Sequence, residues 1–296
     1  MSRNFMKKQK VSFDKLPITI SAQLDLLQDR GMIINNIEDA IHNLTHINYY
    51  RLSAYWLPYE LNSTHNFKEN TNLNIILNHY KFDRELRLHI LKAIERIEVS
   101  LRSNMAHILS LKYSTHPHLQ KDIFSNNDKY NNTLQKLKNE INKSNELFIK
   151  HFKNNYREEL PPIWASVELM TIGQISNWYS NLKHRKDRND ISKIYGLNET
   201  ILKSFMHHLT IIRNISAHHS RLWNRRFMFT FKLPNNPTEL SSKINHNSTN
   251  SIFNTIIMID YFMGIIDKDN SWSKKLDELI ISYNINKGSM GFPLAK

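Results

Sequence analysis

Between Ile201 and Lys232 the chain carries Lys203, Arg213, Arg221, Arg225, Arg226 and Lys232 and neither Asp nor Glu, so an anion approaching this stretch meets no opposing charge. Its centre reads RNISAHHSRLWNRRF from Arg213 to Phe227. An imidazole with an ordinary pKa near 6.5 takes or returns a proton at neutral pH, and a guanidinium holds the charge that develops on a phosphate. With a ribose 2′-hydroxyl as internal nucleophile, such a set can break a phosphodiester bond in RNA without a metal. Arg213 is the anion-holding candidate, and His218 or His219 the proton carrier. On an ideal helix Asn214 and His218 lie four apart on one face, so the amide can fix the tautomer of the imidazole. Arg213 stands about 140° from His218 on that helix. A kink at the helix end, or a second subunit, must bring them together.

Around this core, His219, Arg221, Asn224, Arg225 and Arg226 can grip phosphates, and Trp223 and Phe227 are interleaved among them. Arginine forks with aromatic faces suit single-stranded RNA, although aromatic residues at such spacing are more often core. A metal site would draw on His207, His208, His218 and His219, but no carboxylate or cysteine stands near them, and neither metal nor cofactor is expected. The bland alternative for Arg213 and His218 is a paired polar network bracing a helix terminus. The bare spacing recurs at Arg84–His89 and Arg102–His107 inside an amphipathic helix, where a solvated face is the expectation. Glu95 and Glu98, flanked by Arg96 and Arg102, are expected to form ion pairs.

The elements that must position these residues are helical. Leu86, Ile90, Ile94, Ile97, Leu101, Met105 and Ile108 repeat at alternating spacings of four and three, which predicts one helix over 73–113. At 1.5 Å per residue that is roughly 60 Å, long enough to reach a partner subunit. Upstream, helices are expected from about Thr19, capped by Ser21 and stopped by Gly31, and over 37–44, followed by an aromatic run from Asn48 to Pro58. Downstream come a loop over 116–132, a helix over 133–156, a helix pair hinged near Gly173 and a charged turn over 183–190. Asn198 caps the helix that carries Leu202, Phe205, Leu209 and Ile212 on one face and ends at the reactive residues. A short strand over 227–233, an Asn/Ser-rich loop over 234–250 and helices over 252–266 and 276–283 complete the chain.

Composition narrows the classes. The 296 residues are 40% hydrophobic, enough to fill a large core, and carry a formal charge of +13, which attracts polyanions. Six glycines and no Gly-rich phosphate loop leave a dinucleotide or P-loop NTPase site without a foundation. The absence of cysteine removes disulfides, thiolate metal sites and cysteine nucleophiles. No apolar run approaches a membrane span, and the basic start Met1–Lys10 lacks a following apolar core, so a cytoplasmic, unprocessed protein with no membrane partner is expected.

The stretch from Arg213 to Arg225 resembles the R-x(4–6)-H motif of HEPN ribonucleases and, more narrowly, the RN…AHH.RLWNR signature of the bacterial Abi-like abortive-infection proteins of the AbiD and AbiF type. Asn48-Tyr49-Tyr50-Arg51-Leu52-Ser53, Phe82-Asp83-Arg84-Glu85-Leu86-Arg87, Ala93-Ile94-Glu95-Arg96-Ile97-Glu98 and Leu160-Pro161-Pro162-Ile163-Trp164 are similar to the same family, and the similarity covers about Leu16 to Phe227. The resemblance implies an all-α fold, a HEPN-type helical bundle with a small N-terminal module and the long amphipathic helix. It implies a homodimer joining two motifs into one composite RNase site, a role in phage defence, and restraint of some members by a small structured RNA. On the matching positions Arg213 and His218 would be catalytic and Asn214 the orienting residue. The expected organisation is a basic tail over 1–15, a helical module over 16–62, a HEPN-like domain over 73–232 and a C-terminal helical extension over 233–296. Two rivals stand beside an endoribonuclease of single-stranded or loop RNA: a protein that holds a specific structured RNA with its site repressed, and a non-catalytic helical adaptor.

Overall fold

A computed structural model describes residue 12 and residues 15–61 and 64–293, so most of the basic tail expected over 1–15 lies outside the described residues. Among those described there are thirteen α-helices and no strand; three isolated bridges are the only ladder contacts. By their contacts the residues group into two compact units, Met1–Tyr80 and Lys81–Lys296. The segment 233–296, expected as an extension, groups with the second.

The first unit holds α1 (Ile20–Asp29), α2 (Ile37–His46) and α3 (Tyr49–Trp56). Thr19, not Ser21, caps α1, its hydroxyl accepting from the Ala22 N–H at 3.2 Å. Asn36 and Asn48 cap α2 and α3 in the same way. Gly31 ends α1 in the left-handed region at φ +89, where a side chain would be strained. The aromatic run packs as a cluster: Trp56 meets Tyr49 and Phe67 edge-on, and Tyr55 meets Tyr80.

The long helix α4 (Leu73–Lys112) forms as expected, and its residues up to Tyr80 group with the first unit. In the second unit its stripe is buried at Leu86, Ile90, Ile94, Ile97, Leu101 and Met105 and half-buried at Ile108. Each buried side chain of this size is worth about 2 kcal/mol against exposure. After α4 the expected loop is interrupted. Asn126 caps α5 (Asn127–Lys143), accepting from the Lys129 N–H at 2.7 Å, and a break at 144–146 separates α6 (Leu147–Asn155) from it. Following Pro161-Pro162, the short α7 (Ile163–Ser166) precedes α8 (Ile172–Asn181), whose Thr171 and Gln174 form a reciprocal capping box. Gly173 is therefore inside α8 and is no hinge. It faces the next long helix so closely that an added Cβ would lie 3.2 Å from Thr210 Cγ2.

The expected charged turn is instead a helix, α9 (Arg185–Lys193). It buries Ile191 together with two polar residues, Ser192 and Asp187; Asp187 has no solvent exposure, pairs with Lys112 and accepts from the Tyr113 hydroxyl at 2.6 Å. Asn198 caps α10 (Glu199–Ala217), which packs on α8 and α9 and buries Leu202, Phe205, Leu209 and Ile212. Phe227 to Leu233 has no regular structure and is not a strand; Phe227 N–H bonds the Asn250 carbonyl at 2.7 Å and Lys232 N–H the Ser204 hydroxyl at 2.8 Å. The short α11 (Thr238–Ser241) leads to α12 (Phe253–Ile266), apolar on nearly all sides, whose Phe262 lies 5.3 Å from the Phe205 ring of α10. α13 (Trp272–Ser282) closes the unit against α4, with the Trp272 indole stacked on His89 at 4.8 Å. The core thus packs against one side of α10 and leaves Lys203, His207 and Asn214 exposed on the other.

Candidate functional site

The end of α10 is built as a Schellman motif. The N–H of Ser220 bonds the Ile215 carbonyl at 2.9 Å and that of His219 the Ser216 carbonyl at 3.1 Å. The residue in the left-handed position, usually glycine, is His219 at φ +59. A β-carbon there costs about 1 kcal/mol, and such strain concentrates at sites that use it. His218 is the C-cap at φ −89 and ψ 14, and His218, His219 and Ser220 are all exposed.

What fixes the chain beyond this strained turn is a carboxylate on another helix. Asp83 of α4 has no exposure, and one of its oxygens accepts the backbone N–H groups of Leu222 at 2.9 Å and Trp223 at 2.6 Å. Its other oxygen pairs with Arg87, one turn along α4 and itself buried. The Phe82–Arg87 segment singled out in the sequence is therefore a clamp on the loop that follows the two histidines. The signal lay in the sequence: Asp83 and Arg87, four apart, interrupt an otherwise apolar stripe, and a charge placed there must find a partner inside the fold.

Arg213 is half-buried on the last full turn, its Nη1 3.5 Å from Asn214 Oδ1. Within one chain the amide thus faces the guanidinium, and its link to His218 runs through the backbone, where the His218 N–H bonds the Asn214 carbonyl at 2.9 Å. A second acidic partner is Glu98 of α4. Burial raises the Glu98 carboxyl above its ordinary value, while Arg102 and then Arg213 pull it back down. Glu98 pairs with Arg102, as expected from their spacing, and Arg102 also donates to the Met170 carbonyl. Arg102 therefore does not lie on a solvated face, nor does His89, whose Nε2 donates to the Trp272 carbonyl at 2.9 Å; Arg84 and His107 are exposed as expected.

In the basic strip, Arg226 is exposed and reaches Asn250 Oδ1 at 3.2 Å, and Arg221, Asn224 and Arg225 are half-buried. Arg225 donates to the Arg221 carbonyl at 3.2 Å and lies 6.0 Å from the Phe227 ring centre. Asn224 is the second left-handed residue of the loop, at φ +49. Trp223 is only 3% exposed and Phe227 is buried as well, so both are core and neither offers a face to a base. The exposed aromatic is Phe229, 63% accessible beside an open Met228, which the sequence pattern did not single out. Among the histidines, His208 is buried away from the strip. Its Nδ1–H donates to the Phe229 carbonyl at 3.2 Å, Nε2 accepts from the Thr255 hydroxyl at 2.8 Å, and burial pushes its pKa down to about 4. Among the described residues no cluster of acids and histidines is arranged to hold a metal ion.

The chain is thus an all-α protein that carries an acid-free, arginine-rich loop at the exposed end of α10. A family model described as Abi-like protein matches residues 42–224, from within α2 to the clamped loop. The chain belongs to that family, which associates it with abortive-infection defence. No curated protein and no solved structure matches it. No helix of the described residues is long and apolar enough to cross a membrane.

Proposed function

We propose that the protein is a metal-independent endoribonuclease of the HEPN type, acting on single-stranded or loop RNA as a toxin-like effector of cytoplasmic phage defence. The observation that carries this reading is the end of α10, where two exposed histidines sit at a turn strained at His219, beside Arg213, and the loop that follows them is held at Leu222 and Trp223 by a buried carboxylate. His218 exchanges the proton, Arg213 meets the phosphate, and His219, Arg221, Arg225 and Arg226 draw the strand in. Arg213 and His218, five apart, stand about 140° from one another around a helix, which suits a homodimer in which two motifs face one RNA. The role of a platform for a base passes from Trp223 to Phe229.

The test is to incubate wild type, Arg213→Ala and His218→Ala with labelled RNA in EDTA. Cutting by the wild type alone, with 2′,3′-cyclic phosphate ends, is the expected result; cutting retained by either variant overturns the reading. A second reading, RNA binding with the site at rest, is favoured by one observation: Arg213 already faces Asn214 and lies in the field of Glu98. A defined RNA that copurifies with wild type and is not turned over would select it.

A further inference from the structure

A second anion-receiving feature lies on α10, away from the histidine pair. Between α5, α8, α9 and the first turns of α10 is an open cavity of about 550 Å³, lined among others by Lys129, Lys203, His207 and Lys232 and by the hydroxyls of Ser180 and Ser204. Glu199 is the only carboxylate in its lining, and its charge is taken up by Arg188 at 3.0 Å and Arg185 at 3.4 Å. Among the described residues neither Lys129, Lys203 nor Lys232 comes within 4.0 Å of a carboxylate. Lys129 is half-buried and donates to Ser180 Oγ at 2.5 Å, and Lys232 is tethered by its backbone N–H to Ser204 Oγ.

We propose that this cavity binds a phosphate group of a ribonucleotide strand, serving as a subsite of the RNA path that ends at His218. Three ammonium groups, an imidazole and the Ser204 hydroxyl around one concave space match the charge and the acceptor oxygens of a phosphate; the Ser180 hydroxyl donates to the Asn177 carbonyl at 3.0 Å and instead positions Lys129. Like charges crowd there: burial lowers the Lys129 pKa, and Lys203 adds to the lowering. Geometry connects the cavity to the reactive end. Lys203, His207 and Asn214, all exposed, follow one another at spacings of four and seven on one side of α10, with Thr210 between them packed against Gly173 of α8 at its border. From His207 to His218 the helix rises roughly 16 Å, a span of a few nucleotides. A strand on that face would set one phosphate among the lysines while another meets the end of the helix. The assignment rests on the ribonuclease reading for the direction of the strand, but the phosphate chemistry stands on the cavity alone.

The experiment compares Lys203→Ala/Lys232→Ala with the unsubstituted lysines, both on the His218→Ala full-length chain. The two substituted residues are exposed, and a thermal melt verifies folding. The probes are a 2′-O-methyl oligoribonucleotide of about eight residues and adenosine 5′-monophosphate, titrated from low to high salt. The expected result is a tenfold or greater loss of oligonucleotide affinity, with the slope of log affinity against log salt reduced by about one. Loss for the mononucleotide alone would keep the phosphate site but overturn its place on a strand path. Unchanged affinity and slope for both probes would overturn the site altogether. The loss is read in a chain that cannot cut, so it survives even if wild type proves to have no nuclease activity, and the two failures stay distinct.

Discussion

Asp83 concentrates the residue-level argument. A carboxylate with no exposure is tolerable only because two backbone N–H groups and a guanidinium surround it. The pair adds little against an apolar replacement of both partners, but removing one leaves the other charged and buried. Asp83→Ala is therefore expected to cost about 3–5 kcal/mol and to free the loop that carries Arg221 and Arg225. Urea unfolding measures the loss, and limited proteolysis within 219–227 reports the loop. A cost below about 1 kcal/mol would mean that the clamp is not what holds the strained turn at His219. Arg213, Asn214 and a neighbouring histidine could be singled out as candidates from residue type and spacing because they follow one another in the chain; the choice of His218 over His219 rests on the family resemblance. The partners Asp83 and Glu98 were not assigned to the site, because they come from a helix more than a hundred residues earlier and only the fold brings them close.

Elements were readable where their own residues decide them. Gly31 ends α1, Asn198 caps α10, and the apolar stripe of α4 runs as its spacing predicts. They were misread where a partner elsewhere decides. The charged stretch of α9 looked like a turn because only Ile191 of its buried face is apolar; Asp187, buried beside it, is held by Lys112, a contact no local pattern contains. The segment from Phe227 has strand-like residues but no neighbouring strand among the described residues; its backbone N–H groups bond a loop carbonyl and a serine hydroxyl. The same packing makes the helices sensitive to acid. His208 joins α10 to Thr255 of α12, and His118 lies in the turn after α4; burial is the main reason that both fall to about 4 from 6.5. As the pH drops, the unfolded chain takes up these protons first, so their stabilisation is complete above 6.5 and is lost progressively down towards 4. Each is worth about 3 kcal/mol over that window. Denaturant midpoints at pH 7.5, 6 and 5 should fall in that order, and His208→Met should flatten the decline. Equal midpoints at pH 7.5 and 5 would show that these histidines are not buried as neutral groups.

At the scale of the whole molecule, the charge of +13 attracts any polyanion, so specificity must come from where the cations stand. The acid-free segment 201–232 gathers six of them around one helix and its loop, with the lysine cavity near one end and the histidines at the other. Within one chain, Arg213 faces Asn214 and lies in the field of Glu98, whereas His218 opens to solvent. A symmetric pair of chains resolves this divergence if each site takes its arginine from one protomer and its histidine from the other. Two inactive proteins then complement each other. Mixed in equal amounts under exchange conditions, Arg213→Ala and His218→Ala form heterodimers with one intact and one doubly defective site, and about a quarter of wild-type cleavage returns. Subunit exchange is verified by mass on differently tagged chains, and cleavage is read on the same labelled RNA. No recovery despite exchange would place both residues of a site in one protomer, or require all four at once, and the shared-site arrangement would have to be given up.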